Sequence, residues 1–140
     1  IMIKELVTDE AILSQPCETA TAEDAVVAQD LLDTLASLDE AACLAANQIG
    51  VPKALVVFAD DEGRTHVMYN PKLLLGLGAY KCTERCLSHD DDVKVTRFAK
   101  AKVSFEELVD GELKPRRRDF TGWVAQMVQH MIDHCNGKLV

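Results

Sequence analysis

The 140-residue sequence lacks any apolar stretch near the roughly 20 residues that a helix needs to span a bilayer. Its opening segment, IMIKELVTDE, also lacks the apolar core of a signal peptide. Nothing in the sequence therefore directs the chain out of the cytosol, and we expect a cytoplasmic protein that does not associate with membranes.

Positive charge is in deficit, with 15 Lys and Arg against 23 Asp and Glu and a net charge of -8. This balance argues against nucleic acid or an anionic membrane surface as a general partner. One local exception is the basic run LKPRRR at residues 113–118. We interpret that run as a solvated strand or loop, because isolated charge runs usually only keep a surface wet.

The cysteines are too few and too scattered for the disulfide framework of a small secreted protein. There are five, at Cys17, Cys43, Cys82, Cys86 and Cys135. Such an odd set is more typical of reduced thiols, core residues or metal ligands. The sequence also shows no internal repeat, low-complexity linker or domain boundary, so we expect one domain over residues 1–140.

Apolar periodicity predicts a mixed α and β pattern. Residues 21–38 carry apolar side chains at helical spacing, and Thr21 and Asp24 stand where a capping box belongs. The run ALVVFAD at residues 54–60 is typical of a buried strand. The strand pattern resumes at HVMYNPKLLL, residues 66–75, where Asn70 and Pro71 indicate an edge or a bend.

Two further segments, residues 93–97 and 101–105, alternate apolar and polar side chains, and we predict that they pair antiparallel with each other. The dipeptide Asp110–Gly111 predicts a hairpin turn after them. Together these patterns favour an α+β fold, in which antiparallel sheets surround a central helix.

That helix is predicted over Trp123–Cys135, a segment that is apolar almost all round, with Gly137 placed as its C-terminal cap. It carries His130 and His134 one turn apart on one face, so their imidazoles can converge on a single point. A buried imidazole pair needs partners, and a metal ion is one candidate. A third ligand would have to come from elsewhere, and Cys86 in ERCLS is the candidate.

Three collinear segments then make the chain resemble the peptide deformylase family, which removes the formyl group from the N-terminal methionine of new bacterial proteins. The segments are AACLAANQ at residues 41–48, ERCLS at residues 84–88 and QHMIDH at residues 129–134. The resemblance extends along nearly the whole chain, and three motifs in the correct order are far more specific than one.

The resemblance implies that Cys86, His130 and His134 bind one divalent metal ion, with a fourth position left for water. Iron(II) is the usual ion of the family, and zinc or nickel are alternatives. Three protein ligands and one open position are the pattern of a catalytic metal site. Cysteine and histidine suit all three metals, so the ligand types alone do not identify the ion.

The resemblance also assigns the substrate contacts. Gln48 and the backbone N–H of Leu87 match the groups that stabilise the developing oxyanion, and Arg97 matches a position that contacts the substrate backbone. Cys43 lies in the loop that approaches the substrate. The expected substrate is the formyl-methionyl N-terminus of a nascent chain. Some family members dock on the ribosome through a long C-terminal extension. The sequence stops soon after the histidine helix, so we leave open whether this chain contacts the ribosome.

The chain departs from the family pattern at one position that matters for catalysis. Met131 stands where the family has the glutamate that transfers the proton, and a thioether can neither accept nor donate that proton. Losing a general acid and base typically lowers the rate by about 10² to 10⁴. His89 is a possible substitute base, although a loop histidine is more often simply exposed. Arg85 and Cys43 also replace family glycines.

Three interpretations follow from these departures. The chain is an active deformylase, slow or altered in substrate, or it is a catalytically silent relative that binds metal and a blocked peptide N-terminus. The third interpretation is a structural zinc site that adds Cys82 to Cys86 and the two histidines. If residues 80–86 are extended, the two cysteines lie about 13 Å apart and cannot share an ion.

Overall fold

The computed structural model describes residues 6–7, 10–38, 42–60, 62–84 and 93–137. Within them the chain forms three α-helices and five strands, joined in part by short 3₁₀ turns. The helices are α1 (Glu10–Leu13), α2 (Ala25–Ala36) and α3 (Gly122–Cys135), and the strands are β1 (Cys43–Ala45), β2 (Leu55–Ala59), β3 (Thr65–Glu84), β4 (Val93–Val109) and β5 (Glu112–Thr121).

The strands form one antiparallel sheet in the order β1-β2-β3-β4-β5. The predicted hairpin turn is confirmed at Asp110 and Gly111, whose φ angles of 52° and 81° suit a tight turn between β4 and β5. Asn70 interrupts β3 as expected, with a φ of 53° and a shift in register towards β4 between Tyr69 and Lys72. This interruption is a bulge that bends β3 without ending it.

Strand β2 is apolar along its length because both of its faces are covered. Val56 and Phe58 belong to the cluster that packs against α3, whereas Leu55 and Val57 belong to the cluster that packs against α2. The two helices therefore lie on opposite faces of the sheet. A continuous apolar run without alternation is the pattern expected for a strand buried on both sides.

Helix α2 confirms the predicted N-terminal amphipathic helix. Its entry is a 3₁₀ turn in which the Thr21 backbone N–H donates to the Asp24 carboxylate at 2.9 Å. Leu31 and Leu35 are buried on one face. The helix ends at Ala36, two residues before the end that the apolar spacing predicts.

The prediction that residues 93–97 and 101–105 pair with each other is wrong. Both belong to β4, which runs without interruption from Val93 to Val109 and pairs with β3 on one side and β5 on the other. The apolar positions of the two segments are all odd-numbered, so they keep the same phase on one face. The intervening residues 98–100 also lack the Gly, Pro, Asn or Asp that a turn requires.

Helix α3 is the most buried helix of the described residues and confirms the predicted histidine helix within one residue at its start. Gly137 follows it with a φ of 77°, as a C-terminal cap requires. The α+β class is confirmed, with one sheet in place of several. No helix in the described part of the chain has both the length and the apolar character that crossing a bilayer requires.

Candidate functional site

Helix α3 brings His130 and His134 together in the interior. Both residues are buried, and their rings lie edge to face with centroids 4.9 Å apart. The two Nε2 atoms approach to 3.2 Å. Two imidazole nitrogens bound at about 2.1 Å to one tetrahedral ion would lie about 3.4 Å apart. The pair therefore fits the metal ion that the HxxxH spacing predicts.

Glu84, at the end of β3, orients the first of these histidines. Its Oε1 lies 2.8 Å from Nδ1 of His130. Burial opposes ionisation of the carboxyl, but hydrogen bonds and charge from His130 and Arg97 outweigh it and lower the pKa of Glu84 from 4.5 to about 2. An ionised carboxylate only accepts, so the Nδ1 of His130 that faces it carries a proton. In the neutral imidazole that a metal ion requires, this contact leaves Nε2 as the nitrogen that could bind the ion.

Arg97, on β4, balances the buried negative charge. Its Nε and Nη2 donate to the two oxygens of Glu84 at 3.0 and 2.6 Å, and its Nη1 donates to Asp133 at 2.6 Å. Burial favours neutral guanidine, yet hydrogen bonds to these carboxylates raise the pKa of Arg97. Arg97 is only 4% exposed. These contacts favour a positioning role for Arg97 over the substrate contact that the sequence predicts.

Two polar side chains of α3 attach the helix to β4. Asp133 does so through Arg97, from which it accepts a hydrogen bond. Gln129 does so by pairing with the backbone of Phe98, donating to its carbonyl and accepting from its N–H, each at 2.9 Å. Gln129 also donates to the Ala125 carbonyl. The histidine helix is therefore held at a fixed position on the sheet.

The first motif attaches to the end of the same helix. It continues from β1 into a 3₁₀ turn, Ala46–Ile49, in which Gln48 accepts from the Ala45 N–H at 2.9 Å and is 1% exposed. Asn47 donates to the carbonyl of His134 at 2.9 Å. The contact of Asn47 with the histidine helix was not predicted from the sequence. The position of Asn47 inside the first motif, directly before Gln48, is the one sequence feature that could have indicated it. The oxyanion role of Gln48 stays a prediction.

A cavity of about 210 Å³ adjoins His130, between β1, the end of β3 and α3. Cys43 lines it, as the predicted proximity to substrate requires, but its contact with substrate stays a prediction. The remaining lining comes from both apolar and polar side chains of α3 and β3: Thr83, Glu84, Trp123, Gln126, Met127 and His130. Gln126 donates to Glu84 at 2.9 Å, so the same carboxylate forms part of the cavity wall.

Met131 is an interior residue. It is 1% exposed and packs in the apolar cluster of Val128, Cys135 and residues of the sheet. Met131 therefore packs as an ordinary core residue. Glu84 cannot supply the missing base efficiently, because a carboxyl with a pKa of about 2 holds a proton weakly at neutral pH.

Several predicted site residues lie outside the described residues: Cys86, Leu87, Arg85 and His89. Among the residues that the structure does describe, no group of three His, Cys, Asp or Glu side chains could hold a metal ion. Strand β3 is extended through Glu84, and the distance between Cys82 and Cys86 stays a prediction because Cys86 lies outside the described residues. Cys82 instead contacts the Glu84 carboxylate at 3.7 Å.

The fold and this site define an α+β protein with a histidine pair on a buried helix, oriented by a carboxylate from the sheet. The sequence pattern of the family described as Polypeptide deformylase matches residues 3–140. The peptide deformylase of Clostridium beijerinckii is 38% identical, over 99% of this chain and 100% of that protein. The chain belongs to the polypeptide deformylase family.

Solved structures agree with this assignment. A peptide deformylase from Legionella pneumophila is 31% identical, with a TM-score of 0.79 over 98% of this chain and 83% of that chain. The peptide deformylase from Thermus thermophilus is 27% identical, with a TM-score of 0.84 over 99% of this chain and 83% of that one. Family membership therefore supports a hydrolase with deformylase function, in a family that depends on a metal ion.

Proposed function

We propose that the chain, as one domain over residues 1–140, holds one divalent metal ion through Cys86, His130 and His134. Iron(II) is the ion suggested by family resemblance, with zinc or nickel as alternatives. The observation that carries this proposal is the 3.2 Å approach of the two Nε2 atoms, with Glu84 on the far nitrogen of His130. When bound, the ion supplies Lewis acidity, which lowers the pKa of water and polarises an amide carbonyl.

The substrate that we propose is the formyl-methionyl N-terminus of a peptide or nascent chain. Its first side chain enters the cavity beside His130, where Cys43 and Trp123 contribute to the wall. Gln48 and the backbone N–H of Leu87 stabilise the oxyanion by hydrogen bonds. Arg97 acts indirectly, because it holds Glu84 and Asp133. Cytoplasmic location and contact with the ribosome stay predictions.

We expect slow turnover because proton transfer lacks a suitable group. Met131 has no titratable proton, and Glu84 is committed as an ionised acceptor to Arg97 and His130. The rate is therefore expected to be about 10² to 10⁴ below that of the same site with a carboxylate at position 131.

A second candidate function is binding without turnover, in which the chain captures metal and a blocked peptide N-terminus. The burial of Met131 among apolar side chains of the described residues favours this alternative, since its thioether cannot transfer a proton. The two candidates share the metal ligands and the cavity, and they differ only in proton transfer.

The decisive experiment is a deformylase assay with formyl-methionyl peptide on metal-quantified protein, comparing the wild type with Met131→Glu and Met131→Gln. Glutamine matches glutamate in size but cannot move a proton as a carboxylate does. A gain of about 10² to 10⁴ in kcat for Met131→Glu alone supports the proposed shuttle deficit. Equal rates for all three proteins contradict it. Circular dichroism verifies that the variants remain folded.

Binding is measured separately through Trp123, the single tryptophan of the chain, which lines the cavity and is 58% exposed. Peptide-dependent fluorescence without turnover supports the silent binder, and turnover in the wild type excludes it. Absorption of a cobalt-substituted sample counts the thiolate ligands. One thiolate supports Cys86 alone, whereas two support the structural site that includes Cys82.

A further inference from the structure

The solvent face of the outer sheet concentrates positive charge on an acidic chain. Strand register places Lys72, Ser104 and Arg117 side by side across β3, β4 and β5. On the same face, Lys102 and Lys100 follow Ser104 at two-residue intervals along β4. We call Lys72, Lys100, Lys102 and Arg117 the basic sheet face, and all four are exposed.

Few carboxylates neutralise this surface. Asp119 lies 3.9 Å from Lys100, and Glu106, at the edge of the face, accepts a hydrogen bond from Asn70 at 2.8 Å. Within the part of the chain that the structure describes, the other three cations of the basic sheet face form no ion pair. Their charge is therefore available to an anionic partner, although the whole chain carries -8.

The basic run of residues 113–118 contributes only one side chain to this face, because strand side chains alternate. Lys114, Arg116 and Arg118 lie on the other face, where they have partners of their own. Lys114 bonds to Glu112 at 3.0 Å, Arg116 lies 3.9 Å from Glu107, and Arg118 stacks on the Phe120 ring at 5.2 Å. The basic run therefore contributes to two surfaces. On one, the cations contact nearby side chains, and on the other Arg117 lies beside residues of β3 and β4.

The chemistry of the basic sheet face suits phosphodiesters. A groove of about 550 Å³ is lined by Lys72, Ser104 and Arg117, which the strand register places side by side, and also by Arg116 and the Glu106 carboxylate. The cations and the Ser104 hydroxyl are groups that bind phosphate oxygens. Leu75 and Leu77 lie beside Lys102 and Lys100 and are 52% and 53% exposed. They add apolar contact between the charged positions.

The shape favours double-helical RNA over the alternatives. Three adjacent strands form a surface too broad for the major groove of B-DNA, which admits a helix or a two-stranded ribbon. The minor groove of A-form RNA is wide and shallow and displays phosphates and hydroxyls. A lipid surface is disfavoured because membrane-binding surfaces combine cations with an inserted amphipathic helix, and here the face is a sheet without Trp.

We propose that the basic sheet face docks this chain on the phosphate backbone of double-helical RNA. The cavity beside His130 lies on the opposite face of the sheet, with α3, so docking leaves it open. The inference does not depend on deformylase activity, and it revises the expectation that net charge excludes nucleic acid. The net charge of the chain does not describe this surface, because four cations share one face of the sheet.

The test is fluorescence anisotropy of a labelled RNA duplex of about 16 base pairs, titrated with protein between about 50 and 200 mM salt. Four phosphate contacts predict a log–log salt slope of about -3.6, equivalent to about a 10²-fold loss of affinity over this range. The triple variant Lys72→Gln, Lys102→Gln, Arg117→Gln should reduce the slope to about -0.9.

The matched control is Arg64→Gln, Lys114→Gln, Arg118→Gln, which removes the same charge from positions that do not line this groove. The salt slope of this control should differ from that of the wild type by less than about 0.9, the equivalent of one phosphate contact. The same holds for the charge-conserving triple variant Lys72→Arg, Lys102→Arg, Arg117→Lys. Equal weakening by both neutralising variants overturns the proposal, because total charge would then decide. If the triple variant unfolds, single Lys102→Gln still predicts a slope change of about 0.9.

Vesicles containing phosphatidylglycerol provide the competing arm. Wild-type binding to vesicles, without binding to the duplex, overturns the assignment of RNA. Duplex binding that is weakened by the triple variant of the basic sheet face, and not by the control variant, supports the assignment of RNA.

Discussion

Replacing Glu84 by Gln tests the charge network that holds the candidate metal centre. The carboxylate of Glu84 accepts from Arg97 at 2.6 and 3.0 Å, from His130 at 2.8 Å and from Gln126 at 2.9 Å. A glutamine keeps the shape but turns one oxygen into an N–H donor, which then faces another donor. Among the described residues, the buried guanidinium of Arg97 then keeps one carboxylate partner, Asp133.

The expected loss of stability follows from two independent estimates. Removing one partner of a buried ion pair typically costs about 3 to 5 kcal/mol, and the two side chains are 8% and 4% exposed. The pKa of Glu84 falls from 4.5 to about 2 in the folded protein, which corresponds to about 3 kcal/mol. We therefore expect Glu84→Gln to lower the free energy of unfolding by about 3 kcal/mol. Metal affinity should fall by about 10- to 100-fold, because His130 loses its orienting partner.

Urea unfolding of the metal-free protein, followed by circular dichroism, measures the first quantity, and competition with a chromophoric chelator measures the second. The control is Glu107→Gln, which removes an exposed carboxylate 3.9 Å from Arg116 and should cost less than about 1 kcal/mol. If Glu84→Gln were as stable as this control and bound metal like the wild type, the network would not be what holds the site.

Two further predictions concern stability. Because the pKa of Glu84 is lower in the folded than in the unfolded protein, its contribution is complete above pH 4.5 and is lost as the pH falls towards about 2. Melting temperatures across that range should fall more steeply in the wild type than in Glu84→Gln, which keeps only the contribution of other carboxylates such as Asp60. A Cβ on Gly137 would lie 2.6 Å from the Ser14 carbonyl oxygen at a φ of 77°, whereas one on Gly111 would meet nothing within 4 Å at a φ of 81°. Gly137→Ala should therefore cost about 2 to 4 kcal/mol in urea unfolding and Gly111→Ala about 1 to 2 kcal/mol, and equal costs would exclude the packing contribution.

Local patterns in the sequence predict elements whose cause is local. The four-residue spacing of His130 and His134 fixes their common helix face, and Asp110–Gly111 fixes a tight turn, so both predictions agree with the structure. The prediction that residues 93–97 and 101–105 pair with each other was wrong because their apolar positions keep the same alternation across residues 98–100. A single phase over a long segment indicates one strand.

The partners of the site residues could not be predicted, because they depend on contacts distant in sequence. Glu84 meets His130 across 46 positions and Arg97 across 13. Only the register between β3 and β4 and the packing of α3 on the sheet bring them together. The same holds for Arg117, since a basic run in the sequence does not show which of its side chains share a face with Lys72.

The hydrogen bonds that hold the two histidines of α3 do not involve the residue at position 131. The groups that orient the histidines come from the sheet and the first motif: Glu84 on His130, and Asn47 on the His134 carbonyl. Met131 contacts neither of these groups through a hydrogen bond and packs instead among apolar residues. A change at position 131 therefore acts on proton transfer and core packing while the hydrogen bonds that orient the histidines stay in place. For this reason the metal site that we propose does not depend on the residue at position 131, and turnover alone is a poor measure of whether that site binds its ligands.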